Sequence, residues 1–275
     1  MNFPMLTAMI WGCIEYIDKY CKLIFMMNES IILEVQGLTK RFGHIQALDG
    51  VSLEVRAGAI TAIVGDNGSG KSTLIKILSG NLRPDSGSIH IGNKTCPGLT
   101  IPQAIFLGIR TVYQDLALDN YKNSVDNIFL GSELMQGPFL NRRAMRREAE
   151  KLLADIHVAI PDLTEPVASL SGGQRQAVAI ARALRRPGKL LLLDEPTAAM
   201  GIQESHSTLE MLAGLRQRGM TQLIVSHNLH QVFALADYVY VMRSGRVIAA
   251  AATGDTTAQR LQELILRRES EAEGL

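Results

Sequence analysis

The sequence predicts an α/β fold on a mostly parallel sheet, and three observations carry that expectation. The run Ile60 to Val64 leads through a glycine-rich segment, 65 to 70, straight into apolar residues at helical spacing from Lys71 to Leu78. The stretch Leu190-Leu191-Leu192-Leu193 is apolar at every position, which suits a strand covered on both faces by helices. Strand-like and helix-like stretches then alternate along the chain.

Taken in order, Ile31 to Val35, Leu48 to Val55 and Ile60 to Val64 are β-branched runs bounded by turn residues and read as strands. The helix from Lys71 to Leu78 stops at Gly80. Further strands are predicted at Ser88 to Ile91, Ile109 to Tyr113, Lys189 to Leu193, Gln222 to Val225, Tyr238 to Met242 and Val247 to Ala250. Helical patterns fill 124 to 130, 142 to 156, 173 to 186, 204 to 217 and 256 to 268. The stretch from about 115 to 168 lacks convincing strands and reads as a helical insertion within the core. Its run Arg142-Arg143-Ala144-Met145-Arg146-Arg147 reads as a solvated helix face paired with Glu148 and Glu150.

The 275 residues carry 28 Lys and Arg against 27 Asp and Glu, a net charge of +1, with 47% hydrophobic residues. That composition supplies a core and argues against a disordered chain. A near-neutral balance also argues against a nucleic-acid partner, whose binding rests on a basic surplus over phosphate. Cys13, Cys21 and Cys96 show no Cys-x-x-Cys spacing, which argues against a disulfide framework or a zinc site and fits a reducing compartment. The apolar stretch Leu6 to Met27 is interrupted by Glu15, Asp18, Lys19 and Lys22, so no membrane span is predicted. Residues 1–27 read as a non-core extension, with Met26 and Met27 just ahead of the first strand; an amphipathic surface helix is the other reading of this stretch. Residues 28–275 then read as a single domain.

Chemistry concentrates in a few motifs. Gly65-Asp66-Asn67-Gly68-Ser69-Gly70-Lys71-Ser72-Thr73 fits G-x-x-x-x-G-K-[ST] between a predicted strand and a predicted helix. Glycines let successive N–H groups and the helix amino terminus face one anion, Lys71 reaches terminal phosphates, and Ser72 offers a hydroxyl to Mg²⁺. The apolar strand ends in Asp194-Glu195, where open α/β sheets place ligands. Asp194 suits Mg²⁺, and Glu195, on the other side of the chain, suits a base for attacking water. In Ser171-Gly172-Gly173-Gln174, Ser171 as N-cap and two glycines give a second helix amino terminus open to phosphate.

With that second cradle the chain resembles the ATP-binding cassette (ABC) ATPases, whose signature loop is Ser-Gly-Gly-Gln. The resemblance runs from about 31 to 250 and includes Phe42 at the adenine-stacking position, Gln114 as the Q-loop glutamine, Asp194 and Glu195, and His227 as the switch histidine. It implies a P-loop NTPase fold with a RecA-like core, an antiparallel β subdomain and an inserted helical subdomain at about 115–168. It further implies ATP and Mg²⁺ as ligands, with Ser72, Gln114 and Asp194 toward the metal, Glu195 as general base and His227 near the γ-phosphate. Ser171 and Gly173 of one chain would close over the γ-phosphate at Lys71 of another in a head-to-tail dimer, formed with a second copy or a different cassette. His44, His90, His157, His206 and His230 stand outside the pattern and read as surface or packing residues.

Within the family, Tyr113-Gln114-Asp115, Asp126-Asn127-Ile128-Phe129 and Ser226-His227-Asn228 are similar to the sugar-importer branch, in its single-cassette, fructose-type form. Gly201 stands where most members place aspartate, a departure that bears on that loop's cross-dimer contact. The branch implies an ATPase at the cytoplasmic face of the inner membrane, bound to a separate integral permease near 115 to 131 and fed by a periplasmic sugar-binding protein. A soluble cassette acting on ribosomes or nucleic acid, or the ATPase of an exporter, is the competing class.

Overall fold

The computed structural model describes residues 30–198 and 200–266. Expectations about residues 1–27, including Cys13 and Cys21, lie outside the described residues, as does the end of the helix expected at 256–268.

Two main sheets are stacked. The strands β1 (Ile31–Phe42), β2 (Ile45–Arg56), β4 (Ser86–Ile91) and β5 (Lys94–Cys96) form an antiparallel sheet in the order β2-β1-β4-β5. The second sheet has the order β12-β11-β3-β10-β9-β6, from β3 (Ile60–Val64), β6 (Ile109–Val112), β9 (Leu190–Asp194), β10 (Thr221–Ser226), β11 (Tyr238–Arg243) and β12 (Arg246–Ala252). All its pairings are parallel except the edge pair β11 and β12.

Side chains of the central strands alternate between two cores, as the pleat dictates. Ile60, Ala62, Val64, Leu191, Leu193 and Ile224 face the layer of α5 (Gly172–Leu184), α6 (Ile202–Gln217) and α7 (Leu229–Leu235). Ile63, Leu190, Leu192, Leu223 and Val225 face α1 (Lys71–Leu78) and the antiparallel sheet. The apolar run at 190–193 is therefore buried on both sides, with helices on each, although on one of them a sheet joins the helix. There, Leu33, Val35, Leu53 and Val55 of the antiparallel sheet share the work with α1.

The stretch read as purely helical contains α3 (Ser124–Phe129), α4 (Arg142–Asp155) and, between them, a short antiparallel hairpin of β7 (Met135–Gln136) and β8 (Phe139–Leu140). Two residues per strand are too few to show an alternation, so sequence reasoning missed it. Val125, Ile128, Phe129, Met145, Ala149 and Leu153 seat this insertion on α5. On α4, Arg146 pairs with Glu150 at 2.9 Å, and Arg142 with Asp126 at 3.2 Å. The short helices α2 (Ile101–Phe106) and α7 and the strand β5 were also missed. For α2 a start signal was present: Gln103 Oε1 accepts from the Thr100 N–H at 2.9 Å in a capping box. The chain ends its described part in α8 (Ala258–Leu266). Among the described residues, no helix is long and apolar enough to cross a membrane.

Candidate nucleotide site

Four neighbouring parallel strands deliver the site. Val64 pairs with Ser226, Val225 with Asp194, and Leu193 with Val112, so the carboxyl ends of β3, β10, β9 and β6 lie side by side. Each strand leads within one or two residues into a predicted site residue: β3 into Gly65, β10 into His227, β9 into Glu195 and β6 into Gln114. Asn67, Gly68, Gly70, Lys71, Ser72, Thr73, Gln114, Glu195 and His227 line one cleft of about 330 Å³. Segments far apart in sequence thus converge where ligands bind in open α/β sheets.

The loop from 65 to 70 holds its shape through close backbone approach. A Cβ on Gly65 (φ 155°) would lie 2.1 Å from the Met242 carbonyl oxygen, and one on Gly70 (φ 101°) 2.4 Å from that of Ala47. No other residue type fits either place. Lys71 opens α1 with its side chain buried, and its Nζ donates to the carbonyls of Gly65 at 2.7 Å and Asp66 at 2.8 Å. Burial lowers its pKa, while Glu195, Asp66 and Asp194 act in the opposite sense.

Asp194 and Glu195 diverge. Asp194 is buried, and its Oδ1 accepts from Ser72 Oγ at 3.4 Å. Burial raises its pKa, against the Ser72 hydrogen bond and the nearby Lys71. Glu195 takes a left-handed backbone (φ 52°), which costs a non-glycine residue about 1–3 kcal/mol. Its N–H bonds to the Val225 carbonyl at 2.9 Å, and its Oε2 accepts from His227 Nδ1 at 2.8 Å. The carboxylate fixes the imidazole tautomer, leaving Nε2 as the free ring nitrogen. His227 lies between β10 and α7, so it shares no helix with His230.

The remaining candidates lie around this centre. Phe42 is half-exposed at the turn end of the β1–β2 hairpin, with Lys40 Nζ 5.7 Å from its ring centroid. Its register partner Ile45, which sequence reasoning passed over, lines the cleft. Ser171 caps α5: its Oγ accepts from the Gln174 N–H at 3.3 Å, and Gln174 Oε1 accepts from the Ser171 N–H at 3.0 Å. Gly172 lines a second cleft shared with Gln114 and Glu195, whereas Ser171, Gly173 and Gln174 face a third, beside α6. One chain therefore keeps Ser171 and Gly173 out of the cleft that holds Lys71. Two further residues were assigned no role: Gln176, at the end of the signature segment 170–176, buried and with no partner for its Nε2 among the described residues, and Arg182, which donates to the Ala117 carbonyl at 2.8 Å and ties α5 to the loop after Gln114.

The family model for ABC transporters matches residues 48–198. The chain is 42% identical to the xylose/arabinose import ATP-binding protein XylG of Sulfolobus acidocaldarius, over 86% of this chain and 94% of that one. It is 39% identical to the fructose import ATP-binding protein FrcA of Rhizobium meliloti, over 84% and 92%. Among solved structures, a dimeric ATP-binding cassette bound to ADP and Pi superposes with a TM-score of 0.69 at 25% identity, covering 80% of this chain and 98% of that one. The chain belongs to the ABC transporter family, as an ATP-binding cassette that hydrolyses ATP.

Proposed function

We propose that residues 28–275 form one cassette that hydrolyses ATP to drive monosaccharide uptake through a separate membrane permease. The observation that carries the reading is the cleft in which Lys71, Glu195, His227 and Gln114 meet at four adjacent strand ends. The import proteins for xylose/arabinose and for fructose, matched over nearly their whole length, support a monosaccharide as cargo.

Each residue has a role its position suits. The N–H groups of the loop from Gly65 to Gly70 and Lys71 hold the phosphates, and the half-exposed Phe42 offers its ring to the adenine. Ser72 Oγ, on the cleft wall, and Asp194, bonded to it, form a compact pair of hard oxygen donors, which fits Mg²⁺ bound by few side chains together with phosphate oxygens; Gln114, also on that wall, completes the side. When bound, the metal neutralises charge that develops on the transferring phosphoryl group. Glu195 accepts the proton of the attacking water, and His227, oriented by Glu195, helps hold that water and the γ-phosphate.

Ser171 and Gly173 close over the γ-phosphate of a partner cassette in a head-to-tail dimer. This is why they face away from Lys71 of their own chain. The permease seat is a groove lined by Ile101, Ile105, Tyr113, Leu130 and Arg186, beside the strongly exposed Phe106. It overlaps only the end of the stretch 115 to 131. The protein would work at the cytoplasmic face of the membrane, with a periplasmic sugar-binding protein feeding the permease and no nucleic-acid partner.

The test is sugar uptake in cells that carry or lack this chain, together with affinity capture from membranes. Loss of monosaccharide uptake and recovery of a polytopic membrane protein support the proposal. Unchanged uptake, with capture of ribosomes or nucleic acid, overturns it.

A further inference from the structure

The loop after Glu195 and the loop that begins α5 are joined by one carboxylate. Glu204 lies half-buried in the first turn of α6, three residues after Gly201. Its Oε1 accepts from the Gly172 N–H at 3.1 Å, and its Oε2 accepts from the Gly201 N–H at 3.2 Å. A single side chain therefore caps the amino ends of two helices, α5 and its own.

This arrangement selects which amide stays free. The Gln174 N–H goes to Ser171 Oγ, the Arg175 N–H to the Ser171 carbonyl at 2.9 Å, and the Gly172 N–H to Glu204. Among the described residues, the Gly173 N–H between them has no acceptor, and Gly173 lines a cleft of about 550 Å³ with Ser171 and Glu204. Glycine at 172 leaves room for that carboxylate, since a Cβ there would sit 3.1 Å from its Oε2. Gly201 has an ordinary backbone (φ −66°) and a Cβ there would have room, at 3.9 Å from Oε2. Glycine at 201 is thus not forced by space. An aspartate would cap α6 itself and set a second negative charge beside Glu204, whereas glycine leaves its amide to Glu204.

We infer that Glu204 is a positioning residue: it ties the Gly172 amide to the loop after Glu195, so that Ser171 Oγ and the Gly173 N–H stay aimed outward at a partner's γ-phosphate. The inference rests on the proposal that this loop closes on the nucleotide of a second cassette.

The test compares the full chain with Glu204→Ala and Glu204→Gln in three measurements: affinity of the monomer for a fluorescent ATP analogue, ATP-dependent dimerisation by analytical ultracentrifugation, and kcat against KM for hydrolysis. Nucleotide affinity should stay within about twofold, while dimerisation and kcat fall about tenfold in Glu204→Ala, the size expected for hydrogen bonds to a partly exposed charged group. Glu204→Gln keeps the shape and one acceptor oxygen and should lose only about threefold. Wild-type dimerisation and kcat in Glu204→Ala overturn the inference, as does a loss of monomer affinity as large as the loss of kcat. Should Glu204→Ala not fold, a Glu204→Gln variant equal to wild type in both readouts overturns it. A wild-type chain that binds ATP and never dimerises overturns the underlying proposal instead.

Discussion

His227 Nδ1 donates to Glu195 Oε2 across 2.8 Å, joining the ends of β10 and β9 at the mouth of the cleft. The Glu195 side chain is 11% exposed and that of His227 62%, so the carboxylate is the sheltered partner and the imidazole faces solvent. The left-handed backbone of Glu195 helps aim it: its neighbour Asp194 turns instead toward Ser72.

Glu195→Gln keeps the side-chain shape and removes the proposed base. Turnover should fall about 10² to 10⁴-fold with ATP affinity retained, as single-turnover hydrolysis and equilibrium nucleotide binding would reveal. Because the two side chains are hydrogen-bonded to each other, adding His227→Ala to Glu195→Gln should cost less than the sum of the single losses. Near-full turnover in Glu195→Gln would remove it from the role of base.

Ser72 and Asp194 offer the donors that suit a divalent ion. Chelation should stop hydrolysis, and added Mg²⁺ should restore it. Asp194→Asn should raise the Mg²⁺ concentration needed for half-maximal turnover by about tenfold or more, since it removes the charge of the proposed ligand. An unchanged Mg²⁺ titration would assign the metal elsewhere.

The glycine-rich loop depends on contact with backbone rather than on flexibility alone. In Gly65→Ala the new Cβ meets the Met242 carbonyl of β11, so the loop must shift. Stability should drop by about 1–3 kcal/mol in urea unfolding, with weaker nucleotide binding. Wild-type values in both would show that the loop has other room to move.

Asp85 joins the turn before β4 to β1, accepting from Lys40 Nζ at 2.7 Å and from the Arg41 N–H at 2.7 Å. The Lys40 hydrogen bond, followed by that of Arg41, holds its pKa below the usual value. A depressed native pKa stabilises the fold above the unfolded value, about pH 4, and that contribution fades as pH falls through the native one. Asp85→Asn should therefore be less stable than wild type near pH 6, with the gap narrowing in acid. A gap independent of pH down to 3 would rule out the ionised carboxylate as its source.

Much of this architecture was legible because it rests on local rules. The buried strands at 60–64 and 190–193, the phosphate loop with its helix, and the Ser171 cap each declare themselves within a few residues. The hairpin at 135–140, the strand 94–96 and the six-residue helix 101–106 did not, since so few residues show no period.

The order of motifs along the chain determined the family and most of the candidate chemistry. Only the tertiary structure decided which of those residues share a cleft. Parallel pairing placed Gln114, Glu195 and His227 beside Lys71, and the same geometry turned Ser171 and Gly173 toward a different cleft. Glu204 could be assigned only there as well. Its partners Gly172 and Gly201 lie 32 and 3 residues away, and the longer link exists because α5 and α6 pack side by side on one sheet. Spacing along a chain fixes which atoms are neighbours within a helix or strand, whereas contacts between elements depend on how sheets and helices stack.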